Sequence, residues 1–158
     1  MFREVARKKQ ALDAEKSIEL LKTARRGVLA VLGDDGYPYA VPLNHFYCPE
    51  DGKLYYHSGM TGHKLDAIAR CPKVSYNVIS EGRRLDGNWY LEFDSVTVFG
   101  KVEIITDREK LYDIARRLSR KFTDDEAYIQ REIQQSGPAT LMFALMPEQI
   151  TGKLVREK

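Results

Sequence analysis

Turn signals divide this chain into short strands spaced too closely for helices to intervene, which excludes most ways of building a sheet. Gly33-Asp34-Asp35-Gly36 separates the apolar run 28–32 from a strand-like run at 37–47, and Pro49-Glu50-Asp51-Gly52 leads into a third run at 53–58. Aspartate and glycine supply the hydrogen-bonded and left-handed geometries that tight turns require. Such short connections join antiparallel neighbours, whereas parallel strands need crossovers of about a dozen residues or more. The first three strands therefore form an antiparallel meander.

The remaining elements keep to this plan. Apolar side chains at Ile18, Leu20 and Leu21 mark an amphipathic helix over 13–25, and Leu65, Ile68 and Ala69 mark a second over 63–70. Pro72 stops the second helix, because its ring disfavours helical geometry at Cys71. A strand follows at 74–79 and a polar, glycine-containing loop at 81–88. Residues 89–105 read as a strand pair or one bent strand, with Val96, Val98, Gly100, Val102 and Ile104 alternating with polar neighbours and Phe99. Thr106-Asp107 caps a helix over 108–122, another covers 125–135, and strands at 140–146 and 149–155 complete the chain. This order lacks βαβ alternation and predicts a mainly β protein, an antiparallel barrel with helices outside it.

With 158 residues the chain suits one domain, and a net charge of +2 is too small to point to nucleic acid. Basic clusters at 3–9 and 116–121 read as solvated helix faces. No apolar run approaches the roughly 20 residues of a membrane span, and no signal-peptide core is visible, so a cytoplasmic location is expected. Cys48 and Cys71 form no paired motif, and His45, Cys48, His57, His63 and Cys71 lack the tight paired spacing of zinc ligands; no metal is expected.

The chemistry concentrates in Tyr55-Tyr56-His57-Ser58-Gly59-Met60-Thr61-Gly62-His63-Lys64-Leu65-Asp66. A strand enters hydroxyl and glycine residues and then the first turn of a helix carrying a His-Lys pair. Hydroxyls, free backbone N–H groups, a helix dipole and a cation suit a phosphate monoester. A surface turn with a solvated lysine has the same local pattern. Val41-Pro42-Leu43-Asn44 adds a proline, which belongs on a strand edge or at a bulge and leaves backbone polar groups free. An ordinary edge strand with an outward Asn44 fits this run too. No Walker, GxGxxG or HExxH pattern occurs.

Five ordered segments carry a resemblance: Gly36-Tyr37-Pro38-Tyr39-Ala40-Val41-Pro42-Leu43-Asn44, Gly52-Lys53-Leu54-Tyr55-Tyr56-His57-Ser58, Gly62-His63-Lys64-Leu65-Asp66, Ser95-Val96-Thr97-Val98-Phe99-Gly100-Lys101-Val102 and Ile150-Thr151-Gly152-Lys153. Together they resemble the FMN-binding split barrels related to pyridoxamine 5′-phosphate oxidase, nearest the nitroimidazole-resistance (Nim-type) branch. The resemblance implies a six-stranded split barrel and a homodimer with FMN at the subunit interface. It also implies electron transfer from reduced FMN, recharged by NAD(P)H or another donor, to a small acceptor such as a nitroaromatic ring. By position, Val41, Pro42, Leu43 and Asn44 would line the flavin ring, and His57, Ser58, His63 and Lys64 would hold the phosphate. Ser95 and Val96 would contact the flavin from the neighbouring strand, His45 would position substrate or deliver a proton, and Trp89, Tyr90 and Phe93 would wall the pocket. The Arg/His-rich terminal motif of true pyridoxamine phosphate oxidases is missing from 152–158, which argues against vitamin B6 oxidation. The alternative is a non-catalytic flavin or haem carrier or sensor, with His45, His57 or His63 as a haem ligand.

Overall fold

The computed structural model describes residues 2–157. In chain order the main elements are α1 (Ala14–Thr23), β1 (Arg26–Leu32), β2 (Pro38–Asn44), β3 (Phe46–Tyr47), β4 (Leu54–Gly59), α2 (His63–Arg70), β5 (Lys73–Ile79), β6 (Glu92–Ile104), α3 (Arg108–Ser119), α4 (Glu126–Ser136) and β7 (Thr140–Arg156). The strands form one antiparallel sheet in the order β2-β1-β5-β6-β7-β4-β3. Its outermost strands, β2 and β3, are separated along the chain by His45 alone. A sheet whose opposite edges are joined through one residue must curl round on itself, and the result is a split barrel.

The sheet has seven strands, not six. The run 37–47, read as one strand, divides at His45, because its first part pairs with β1 and its last two residues pair with β4. Conversely, the two strands expected at 140–146 and 149–155 are one, β7. Its register on β6 shifts so that Phe99 opposes Gln149 and Gly100 opposes Pro147, leaving Glu148 unmatched. This bulge accommodates Pro147, which has no N–H to donate. Gly100 is required at the same place, since a Cβ there would run into the Met146 carbonyl.

Strand alternation divides the interior in two. Leu29, Val31, Tyr76, Val96, Val98 and Phe143 are at most 3% exposed and fill the barrel. A second cluster of Tyr55, Ile114, Leu118, Met142 and Ala144 lies between the outside of the sheet and α3. Inside the barrel, the Tyr56 ring stacks on Phe143 at 5.0 Å and meets Tyr76 edge-on at 5.1 Å. The Tyr56 hydroxyl finds no hydrogen-bond partner among the described residues. Tyr56→Phe keeps the stack and removes a dehydrated polar group, so it is expected to stabilise the fold by about 1 kcal/mol. A lowered urea midpoint for this variant would show that the hydroxyl has a partner. No helix among the described residues is long and apolar enough to cross a membrane.

Candidate functional site

The β4–α2 junction forms the first half of the site. Along β4, Leu54 and Tyr56 point into the barrel and Tyr55 points toward α3. The same alternation puts Ser58 on the barrel side and His57 on the helix side. His57 lines a cavity of about 280 Å³ with Leu118 and Met142, away from Ser58. Desolvation, and then the Lys64 ammonium, hold its pKa below the usual imidazole range. The side chains of His57 and Ser58 therefore face different spaces, although the sequence reading assigned both to one phosphate.

The start of α2 is built differently from the other helices. Asp13, Asp107 and Asp125 cap α1, α3 and α4 by accepting first-turn N–H groups. α2 begins at Gly62, with φ of 131° and no side-chain cap, which leaves N–H groups of the first turn open to a ligand. Lys64 lies in that turn, half-buried, with Nζ 5.9 Å from the centre of the Phe143 ring. Desolvation lowers its pKa, and it forms no ion pair among the described residues. His63 is committed elsewhere: its ring stacks on Tyr39 at 4.2 Å, and Nε2 lies 3.4 Å from the Asp34 carboxylate, which also accepts from Arg70 at 2.6 Å. An uncapped helix start with a desolvated, unpaired lysine and nearby Ser58 and Thr61 fits a phosphate monoester.

The second part is β2, an edge strand bonded only to β1. Val41 and Leu43 pack against the barrel core, while Pro42 is exposed on the opposite face and Asn44 is half-buried. Within the run expected to line a flavin ring, Pro42 and Asn44 can offer side chains and Val41 and Leu43 chiefly backbone. The Tyr76 hydroxyl, on β5, lies 2.8 Å from the Leu43 carbonyl.

His45 is not at the mouth of this site. It is fully buried at the β2–β3 crossover, with Nε2 2.7 Å from the Leu21 carbonyl and Nδ1 2.9 Å from the Tyr76 hydroxyl. A carbonyl only accepts, so Nε2 carries the proton, and Nδ1 and the Leu43 carbonyl compete for the single Tyr76 hydroxyl proton. Desolvation, and then Lys121, lower the His45 pKa to about 4. Both ring nitrogens are engaged, and the side chain acts as a strut where the barrel edges meet. In the single chain it has no exposed surface from which to reach a substrate. Lys121, read in sequence as part of a solvated face, donates to the Ala24 carbonyl at 2.6 Å and the His45 carbonyl at 2.8 Å. Desolvation, and then Arg25, lower its pKa to about 8. Tyr76 and Lys121 were the residues sequence reasoning missed, because both act through contacts distant along the chain.

On β6 the alternation separates the expected pair. Val96 is wholly inside the barrel, while Ser95 faces outward and accepts from the Asn77 amide at 3.1 Å. Asn77 also donates to the Val96 carbonyl at 3.1 Å and to Thr97 at 2.9 Å. Ser58 and Ser95 thus lie on opposite faces of one curled sheet. The exposed Trp89 and the half-buried Tyr90 and Phe93 are at the loop leading into β6 and at its start.

A curled antiparallel sheet with an open, cationic helix start beside its free edge is a split barrel with a candidate anion site at that edge. The chain belongs to the pyridoxamine 5′-phosphate oxidase family, whose model matches residues 13–154. No curated protein matches it by sequence. Among solved structures, it is 22% identical to a proposed 5-nitroimidazole antibiotic resistance protein from Bacteroides thetaiotaomicron, covering 92% of this chain and 87% of that one with a TM-score of 0.77. It is 26% identical to a FAD-binding protein from Mesorhizobium loti, covering 92% and 97% with a TM-score of 0.66. It is 24% identical to a FAD and heme binding protein from Mycobacterium smegmatis, covering 92% and 73% with a TM-score of 0.73.

Proposed function

We propose that this protein is an FMN-dependent oxidoreductase that works as a homodimer in the cytoplasm. The observation that carries the reading is the uncapped start of α2 with the unpaired, half-buried Lys64 in its first turn. Ser58, Thr61, the Gly62 backbone and Lys64 would hold the phosphate, and the free edge of β2, with Pro42 and Asn44, would meet the polar edge of the ring. His57 and His63 would flank the phosphate rather than ligate it, and Val96 would contribute only backbone. The bound flavin would supply reversible electron transfer between NAD(P)H and a small acceptor such as a nitroaromatic compound. The free thiols of Cys48 and Cys71 suit a reducing compartment.

Support for the dimer comes from the outside of β2, β1 and β5. Pro38, Ala40 and Pro42 adjoin Val28, Leu32 and Ile79, and the last three are 43%, 50% and 58% exposed. Arg26 and Lys73 stand at the two ends of this face, and the apolar patch between them suits an interface. Its occupant is a second copy of this chain, because Ser58 and Ser95 can meet one ligand only when they come from different copies. The double variant Val28→Asp, Ile79→Asp is expected to sediment as a monomer and to lose flavin with the partner. A dimer that survives both charges would place the interface elsewhere.

The enzymatic claim is tested by adding NADPH to the flavin-loaded protein and then a nitroaromatic acceptor. Bleaching followed by acceptor-dependent recovery of colour is expected. A flavin that NAD(P)H never bleaches, with no acceptor accelerating its reoxidation, would favour the second reading, a flavin or haem carrier or sensor. The burial of His45 favours that reading to the extent that it removes the expected proton donor from the site. For haem, His57 and His63 remain as ligands, since both nitrogens of His45 are engaged.

A further inference from the structure

The turn between β1 and β2 reaches across to α2 and holds that helix at both of its ends. The turn is closed on itself: the Gly33 N–H donates to the Tyr37 carbonyl at 2.8 Å and the Tyr37 N–H to the Asp34 carbonyl at 3.0 Å, with Asp35 and Gly36 at φ of 54° and 77°. A backbone closed in this way fixes where the Asp34 side chain starts. One oxygen of the Asp34 carboxylate accepts from Arg70, at the end of α2, at 2.6 Å, and the other lies 3.4 Å from Nε2 of His63, at its start. The spacing of His63 and Arg70 is close to two helical turns, so both stand on one face and a single carboxylate can gather them. The His63 ring in turn lies nearly parallel to Tyr39 of β2, 4.2 Å away and tilted by 18°. The start of α2 has no capping side chain of its own, so this clasp is what fixes it from outside the helix.

We infer that Asp34, His63 and Arg70 are positioning residues of the flavin site, which hold the start of α2 against β2 and so set the separation between its phosphate end and its ring end. This role rests on the flavoprotein reading, in which the open helix start takes the phosphate and the β2 edge takes the ring. A ligand gripped at two ends gains from the second grip only when the two grips are held at the ligand's own span. The clasp joins the halves directly: His63 precedes Lys64 in the chain, and its stacking partner Tyr39 is in the same strand as Pro42 and Asn44. None of the three side chains need touch the phosphate, since each acts through Lys64 and the open N–H groups of the first turn. Ion pairs as exposed as these alter an equilibrium constant by about fivefold at most, so the clasp governs placement of the helix more than stability of the fold.

The test is fluorescence titration of the full chain with FMN and with riboflavin, which has the ring without the phosphate. Asp34→Ala releases both ends of α2 and is expected to weaken FMN about five- to tenfold, and Arg70→Ala, which releases one end, about threefold. Riboflavin affinity stays within about twofold of wild type in both, because the ring grip is unaltered. Asp34→Asn still accepts from Arg70 and keeps most of the FMN affinity. Introduced into Asp34→Ala, the Lys64→Ala change costs less than it does in wild type, since an ammonium already displaced has less contact to lose. Arg70 is exposed at the far end of the helix, so its variant reports on the clasp even where a change at Asp34 loosens the turn. Riboflavin affinity that falls together with that of FMN, additive losses from Asp34→Ala and Lys64→Ala, or FMN affinity unchanged in the Asp34→Ala and Arg70→Ala variants overturns the positioning role. In that last case a wild type whose FMN binding depends on Lys64 leaves the flavoprotein reading standing. A wild type that binds neither ligand removes that reading and the positioning role with it.

Discussion

Lys64→Ala is expected to weaken flavin binding by roughly 1.5–3 kcal/mol, a loss of about 10- to 150-fold in affinity. The magnitude follows from deleting a charge-assisted contact to phosphate at a site where water is already partly displaced from the ammonium. In the free protein the lysine is held over the Phe143 ring and forms no ion pair among the described residues, so removing it breaks little else. The fold should therefore melt within a few degrees of wild type, and Lys64→Arg should recover part of the affinity. Fluorescence titration of apoprotein with FMN and with FAD checks this. Unchanged affinity for both would mean that the phosphate is bound somewhere other than the start of α2.

The second large effect is on stability in acid. Burial and Lys121 hold His45 at a pKa of about 4 in the folded protein, against 6.5 for an exposed imidazole. Between these values the unfolded chain binds a proton that the folded chain refuses, so stability rises with pH in that window. The contribution is complete above pH 6.5, falls as the pH drops toward 4, and amounts to about 3 kcal/mol at most. That figure is an upper one, because a proton arriving at Nδ1 would let the Tyr76 hydroxyl turn its own proton to the Leu43 carbonyl and keep every group bonded. Urea midpoints from pH 7 to pH 4 should fall steeply for wild type and less for His45→Gln, which does not titrate. Parallel curves would remove His45 from the acid response.

Much of the chain's local order is visible in its residues. α2 runs from His63 to Arg70 as expected, because glycine and proline punctuate both ends. The bound of β5 is also close to expectation, since β-branched residues alternate between two clear breaks. What escapes a linear reading is pairing. Nothing near His45 announces that its two sides join opposite edges of a sheet, and its partner Tyr76 lies 31 residues away. Pro147 reads as a strand break, yet the bulge it occupies depends on β6. The site shows the same limit from another side. The resemblance assigned whole segments, His57 with Ser58 and Ser95 with Val96, whereas strand alternation sends neighbours to opposite faces. That alternation was available in the sequence, and it would have removed Val96 as a side-chain contact and separated His57 from Ser58.

The central claim is that the β4–α2 junction and the β2 edge together hold a flavin. The most direct measurement is the visible spectrum of the purified full chain after incubation with FMN or FAD and removal of free ligand. The account predicts a yellow protein with the two absorption bands of oxidised flavin and about one flavin per chain. A colourless protein after both incubations, or one that develops a Soret band with haem while taking up no flavin, would contradict it.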